Sequence, residues 1–202
     1  MRRLTVSIAL ATLVLASPSL SQSVTPQVTG VPNFRQVTER IFRGGQPDLR
    51  GWPELSKLGV KTVVDLRQPG EHSTVAESTA VTAAGMRYVN VPMDGFATPS
   101  AVQLALPLSV LDREEPVFVH CKLGCDRTGT VIAAYRISRQ GWENRKALAE
   151  AQQMGLHWWE MGMRRFIAGY RPATVPDAAT VGGPLAEAPI GAPDSVRNDP
   201  PR

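Results

Sequence analysis

Across residues 31–170 the apolar positions fall into short β-branched runs separated by stretches of helical spacing, with no internal repeat. IFRGGQ reads as a short strand and turn. Residues 48–58 carry apolar positions at helical spacing and Gly59 stops them. KTVVDL is a buried strand closed by the turn RQPG, and residues 74–84 suit a helix with Gly85 after it. MRYVNV is an alternating strand ended by Pro92, after which the loop MDGFATP leads to a helix over 100–112 that Pro107 should kink or restart. PVFVH is a fully buried strand, followed by the segment CKLGCDRTG and by helical patterns over 130–140, 143–154 and 157–168, with Gly141 as a breaker. The alternation predicts an α/β domain with a mostly parallel central sheet flanked by helices. In such sheets ligands sit beyond the carboxyl ends of the strands, where the CKLGCDRTG segment falls.

The two ends of the chain differ from this domain. Residues 1–21 read MRRLTVSIALATLVLASPSLS, two arginines before an apolar run that ends in small residues, the pattern of a secretory signal peptide. The apolar run is short of the roughly 20 residues a bilayer span needs, so the expected mature chain is exported, periplasmic or secreted, with no stable membrane span. Residues 172–202 are rich in Pro, Ala and Gly and poor in large apolar side chains, which predicts a disordered tail. The domain between them, 31–170, has the length of one ordinary domain.

The formal charge of +4 falls to +2 once Arg2 and Arg3 are removed with the leader, and no basic run marks a nucleic-acid stripe. The two cysteines, Cys121 and Cys125, lie too close together for a bridge between them to staple a fold. Their role rests on their neighbours.

FVHCKLGCDRTGTVIAAY joins a buried strand, a glycine-containing loop and a helix expected to start at Thr128 or Gly129. Inward-facing loop amides and the positive end of the helix make a cradle for a tetrahedral dianion such as phosphate, drawn from Lys122, Leu123, Gly124, Cys125, Asp126 and Arg127. The same field favours a thiolate, so Cys121 is expected to ionise well below a free thiol. Arg127 stands where its planar fork can curl back over the loop and hold phosphoryl oxygens by two parallel bonds. Thr128 offers a hydroxyl to the sulfur when it departs, and His120 is expected to orient the loop from the strand end. A metal site built on His120, Cys121 and Cys125 lacks a fourth ligand at zinc spacing, and no metal or cofactor is expected.

HCKLGCDRTG resembles the His-Cys-x5-Arg-Thr signature of the protein tyrosine and dual-specificity phosphatases. IFRGGQP, LGVKTVVDLR and GMRYVNVPM, in that order, are similar to segments of the plant and fungal atypical dual-specificity phosphatases and their bacterial relatives. The resemblance runs over nearly all of residues 33–155. It implies the cysteine-phosphatase fold, a phosphocysteine intermediate and no metal.

A phosphate monoester needs a proton for its leaving oxygen. Asp94, in a loop with Gly95, resembles the movable acid loop of that family. Asp126 resembles the proposed acid of the myotubularin lipid phosphatases, whose CxxGxDRT pattern it shares. Both stand as candidates; Asp65 and Arg67 read as structural. The expected substrate is a phosphorylated protein, phosphotyrosine first. Lys122 matches the HCKxG form of phosphoinositide and inositol-phosphate phosphatases, which keeps an inositol phosphate or phosphoinositide as the alternative, although their second loop lysine is Cys125 here. Cys125 is also a candidate resolving thiol for an oxidised Cys121. Trp158 and Trp159, with Trp142, Met161, Met163 and Phe166, read as the packing of a terminal helix against the sheet rather than a binding surface. A rhodanese-like sulfurtransferase is the nearest enzymatic rival, and a non-catalytic phosphate-binding module the other; Arg127–Thr128 beside a cysteine points away from both.

Overall fold

A computed structural model describes residues 27–172, so the expected signal peptide at 1–21 and all but the first residue of the expected tail at 172–202 lie outside the described residues. Five strands form one sheet in the order β1-β2-β5-β3-β4, with β1 at Arg35–Gln36, β2 at Ile41–Gly44, β3 at Thr62–Asp65, β4 at Arg87–Asn90 and β5 at Val117–His120. Only β1, a two-residue strand absent from the expected pattern, is antiparallel to its neighbour. Strands β2, β3 and β5 are buried along their whole length, the condition of a parallel sheet covered on both faces.

The two-residue period of the strands sorts their side chains onto two cores. Val117, Val119, Val64 and Ile41 pack on one face with Leu104, Leu108 and Ile132, while Phe118, Val63 and Phe42 pack on the other with Trp52, Leu55 and Val81. Helices α1 (Gly51–Lys57) and α2 (Thr74–Ala83) cover the second face; α3 (Ala101–Leu111) and α4 (Asp126–Gln140) cover the first. Helices α5 (Asn144–Gln153) and α6 (Met161–Gly169) share a third apolar cluster with α4, built on Ala147, Ala151, Met163 and Ile167. Among the described residues no helix is long and apolar enough to cross a membrane.

Three local expectations change. Pro107 neither ends nor restarts α3. A proline inside a helix costs about 3 kcal/mol, and here the helix is held by a capping box between Ser100 and Gln103 and by burial of Leu104, Leu108 and Leu111. α4 begins at Asp126, earlier than Thr128, so Arg127 belongs to its first turn. α6 begins at Met161 rather than at His157, because the backbone N–H of His157 donates to Asp126 Oδ1 at 2.9 Å and holds 157–160 in a turn.

Candidate active site

His120 closes β5 opposite Gly44 of β2 and Asp65 of β3, and the chain then turns through residues 121–125 into α4. The carbonyls of this loop are tied on the β2 side. Lys122 O accepts from Gln46 N at 3.0 Å, and Gly124 O accepts from Arg43 Nη2 at 2.5 Å and Asn33 Nδ2 at 3.4 Å. Gly124 has φ +74° and lies so close to the backbone of Gly44 and Gly45 that a Cβ would collide with it. Among the described residues, the N–H groups of residues 122–127 donate to no carbonyl in loops, turns or caps. With its carbonyls taken up and its amides left without carbonyl partners the loop is rich in free donors, and the start of α4 adds its dipole.

Beneath the loop lies Arg43, which was not recognised as a site residue in the sequence. It is 2% exposed, and its Nε has no partner among the described residues. Burial lowers its pKa, while attraction to Cys121, Glu150 and Cys125 acts in the opposite direction. The available signal was a charged residue inside IFRGG, a strand otherwise apolar and small.

In front of the loop opens a cleft of about 510 Å³ to which Cys121, Lys122, Leu123, Asp126 and Arg127 contribute from the loop and α4. Cys125 does not line the cleft with its side chain: its Sγ lies 3.5 Å from Asn33 Nδ2 and donates to Leu123 O at 3.6 Å. Burial first, then the charge of Asp126, pushes the Cys125 thiol up. Both cysteines are free thiols. Cys121 is 3% exposed and reaches solvent through the cleft.

Arg127 makes a bidentate pair with Glu71, Nη1 to Oε1 at 2.5 Å and Nη2 to Oε2 at 2.9 Å, and its Nη1 also faces the carbonyls of Leu66 and Met93. Burial is the largest influence and opposes the arginine's charge, but the bonds to Glu71 together with the attraction of Cys121, Glu71 and Asp65 hold Arg127 above its ordinary value. The same hydrogen bonds hold the Glu71 carboxyl below its usual range. Glu71 lies in the turn after β3 and had not been singled out from sequence.

Both acid candidates line this cleft. Asp94 is exposed, and its Oδ1 accepts from the amides of Phe96 at 2.8 Å and Ala97 at 2.9 Å, which lower its pKa. Asp126 has both oxygens within 3.0 Å of His157 Nδ1, besides the backbone bond already described. A third carboxyl joins them from the same turn: Glu160, 4% exposed, pushed up by burial first and then by the negative charge of Asp126.

His120 is fully buried at the root of the loop, its Nδ1 3.4 Å from Cys121 O and its Nε2 3.0 Å from Glu77 Oε1 of α2 without forming a hydrogen bond to it. Among the described residues, His120, Cys121 and Cys125 do not form a group within ligand distance of one another. Asp65 and Arg67 pair in the same buried cluster, as the sequence suggested. Asp65, His72 and Glu77 come close enough to hold a cation, yet Arg67 bonds both carboxylates and supplies the positive charge itself. Thr128 is fully buried, and its Oγ1 has no partner among the described residues, so the expected bond to sulfur is not formed. Met163 and Ile167 make the packing face of α6, whereas Trp158, Trp159 and Met161 are exposed, which corrects their expected burial. Trp159 stacks on His157 at 4.3 Å and lines the cleft.

Residues 26–163 match the family described as "DSP-PTPase phosphatase fused to NAD+ Kinase". The chain is 32% identical over 141 residues to the dual specificity protein phosphatase TpbA of Pseudomonas aeruginosa strain UCBPP-PA14, covering 69% of this chain and 60% of that protein. It thus spans less than two thirds of that relative's length. It is 29% identical over 140 residues to the inositol diphosphatase DSP5 of Arabidopsis thaliana, covering 66% of this chain and 67% of that protein. A crystal structure of P. aeruginosa TpbA superposes with a TM-score of 0.61 at 26% identity, covering 73% of this chain and 89% of that one.

Proposed function

The chain belongs to the dual-specificity and atypical tyrosine phosphatase family, and on that premise we propose that it hydrolyses phosphate monoesters with Cys121 as nucleophile and Arg127 as the phosphoryl-binding cation. The observation that carries this reading is the meeting of Cys121 and Arg127 in one cleft at the N-terminus of α4. The Cys121 sulfur attacks phosphorus, the ester oxygen leaves with a proton, and water then cleaves the phosphocysteine to release phosphate and restore the sulfur. Arg127 is already bidentate with Glu71, so its fork is oriented before substrate arrives, and the free loop amides receive the remaining oxygens.

Phosphotyrosine is the substrate we favour. Besides Lys122, Arg127 and His157, the cleft carries four carboxylates, Glu71, Asp94, Asp126 and Glu160. Such a wall suits one phosphoryl group on an apolar stem better than a ring bearing many. Phe96, Leu123 and Trp159 expose apolar surface beside it, to which an aryl group can pack. P. aeruginosa TpbA has also been crystallised in complex with pTyr. The second reading, an inositol phosphate or phosphoinositide, has Lys122 and the similarity to DSP5 in its favour.

A panel of phosphotyrosine peptides, phosphoserine peptides and inositol phosphates under reducing conditions, with Cys121→Ser as control, tests both readings. Phosphate release from phosphotyrosine, lost in the variant, is expected. A clear preference for inositol phosphates refutes the substrate, and the absence of any release refutes the activity. We also propose export, from the leader pattern of residues 1–21. A mature protein whose N-terminus still begins at Met1 refutes it.

A further inference from the structure

Arg43 is a cation in a place that a fold by itself does not favour. It belongs to β2, is 2% exposed, and its Nε has no partner among the described residues. Its side chain makes one hydrogen bond among those residues, from Nη2 to Gly124 O. The carboxylate that attracts it, Glu150 of α5, has both oxygens held by Arg136. The other groups that attract it are Cys121 and Cys125, while Arg35 opposes it. A Cβ added at Gly129 would lie 3.8 Å from the same Nη2, so the guanidinium also abuts the first turns of α4, the positive end of that helix. A buried charge is costly unless it is paired, and a helix N-terminus adds repulsion to that cost. What would balance Arg43 is an anion bound at the loop in front of it.

We infer that Arg43 is a positioning residue of the anion site, acting through the peptide that joins Gly124 to Cys125, and that a tetrahedral anion in the loop completes its charge. The inference rests on the phosphoryl site proposed above. In a trans peptide the carbonyl oxygen and the following N–H point in opposite directions. Holding Gly124 O toward β2 therefore turns the N–H of Cys125 away from β2, and that N–H donates to no carbonyl among the described residues. The φ of +74° at Gly124 is the conformation that lets the loop present its carbonyl this way. Asn33 Nδ2 supports the same carbonyl at 3.4 Å, but without a charge. A cation on the oxygen polarises the peptide and strengthens its N–H as a donor. Arg127 thus grips the anion directly, whereas Arg43 acts from behind through the backbone.

Inorganic phosphate is the probe, and its binding is read by NMR without turnover. In the unmodified chain, phosphate is expected to shift the Arg43 Nε–H signal and the Cys125 amide together, both saturating at one concentration. An Arg43 signal that stays fixed while phosphate fills the site overturns the inference. Arg43→Gln, which removes the charge, is expected to weaken phosphate binding by about tenfold or more, the scale of one charge-assisted bond. Arg43→Lys keeps the charge and a donor, and is expected to bind within about threefold of the unmodified chain. Asn33→Gly removes only the neutral bond to Gly124 O and is expected to lose less than Arg43→Gln. A merely structural arginine gives equal losses in the Gln and Lys variants, and that result overturns the inference, as does unchanged affinity in Arg43→Gln. If Arg43→Gln does not fold, the two signals of the unmodified chain decide. Phosphate bound as described, with no release from any ester, refutes the phosphatase activity and leaves the role of Arg43 standing. No phosphate bound by the unmodified chain overturns both.

Discussion

Gly124 is the residue whose replacement separates loop geometry from general stability. Alanine there meets two penalties. The backbone at φ +74° costs an L-residue roughly 1–2 kcal/mol. The new methyl also collides with the backbone of Gly44 and Gly45, so loop and β2 must part. Parting loosens the 2.5 Å bond from Arg43 to Gly124 O, a charged hydrogen bond worth about 1.5–3 kcal/mol. The sum is roughly 2.5–5 kcal/mol, at or below the whole stability of most domains, so the variant is expected to fold. Gly70→Ala is the control: its φ is +94° but nothing lies within 4 Å of the added Cβ, so only the first penalty applies. Urea unfolding is expected to give about 1–2 kcal/mol for Gly70→Ala and the larger figure for Gly124→Ala. Turnover on an aryl phosphate is expected to fall about 100-fold in Gly124→Ala alone, since a shift of about 1 Å at a reacting group has that effect. If the two variants lose equal stability and both keep full turnover, the reasoning about this close approach is wrong.

Other expectations concern the acids and the second cysteine. Arg127 lowers the Glu71 carboxyl in the folded state, so their pair stabilises the fold above about pH 4.3 and is lost as pH falls through the lowered value. Unfolding free energy between pH 3 and 6 is expected to depend less on pH in Glu71→Gln, and an unchanged slope refutes the pairing. Glu160 has the opposite sign. The folded chain holds that proton to higher pH than the unfolded one, so stability declines as pH rises above about 4.3. Glu160→Gln is therefore expected to melt higher than the unmodified chain at pH 8, and a lower melting point counts against the buried carboxyl. Cys125 is held protonated at neutral pH by burial and by Asp126, and its sulfur is engaged with Asn33 and Leu123, so it is a slow attacker on an oxidised Cys121. Dithiol recovery after peroxide is expected to be equal in Cys125→Ser and the unmodified chain; loss of recovery in the variant restores Cys125 as a resolving thiol.

Much of the site was legible because its chemistry is local. Cys121, Lys122, Asp126 and Arg127 fall within one strand-loop-helix passage, where spacing along the chain already dictates proximity. The strands were legible for a similar reason, since β2, β3 and β5 are short runs with an apolar, β-branched or aromatic centre, buried along their length. The two-residue β1 carries too little pattern to be seen, and the burial of α3 overrides the break that Pro107 implies.

What the linear chain determined by itself was the alternation of strands and helices and the cysteine-to-arginine loop, because each depends on neighbours a few residues apart. What only the tertiary structure decided was which distant groups meet that loop. Arg43 comes to it from β2, Glu71 from the turn after β3, and His157 with Glu160 from the turn before α6. No periodicity encodes such meetings. They follow from β5 lying between β2 and β3, and from α5 and α6 packing back on α4, and these long-range contacts alone determine which charges are buried and which proton is held.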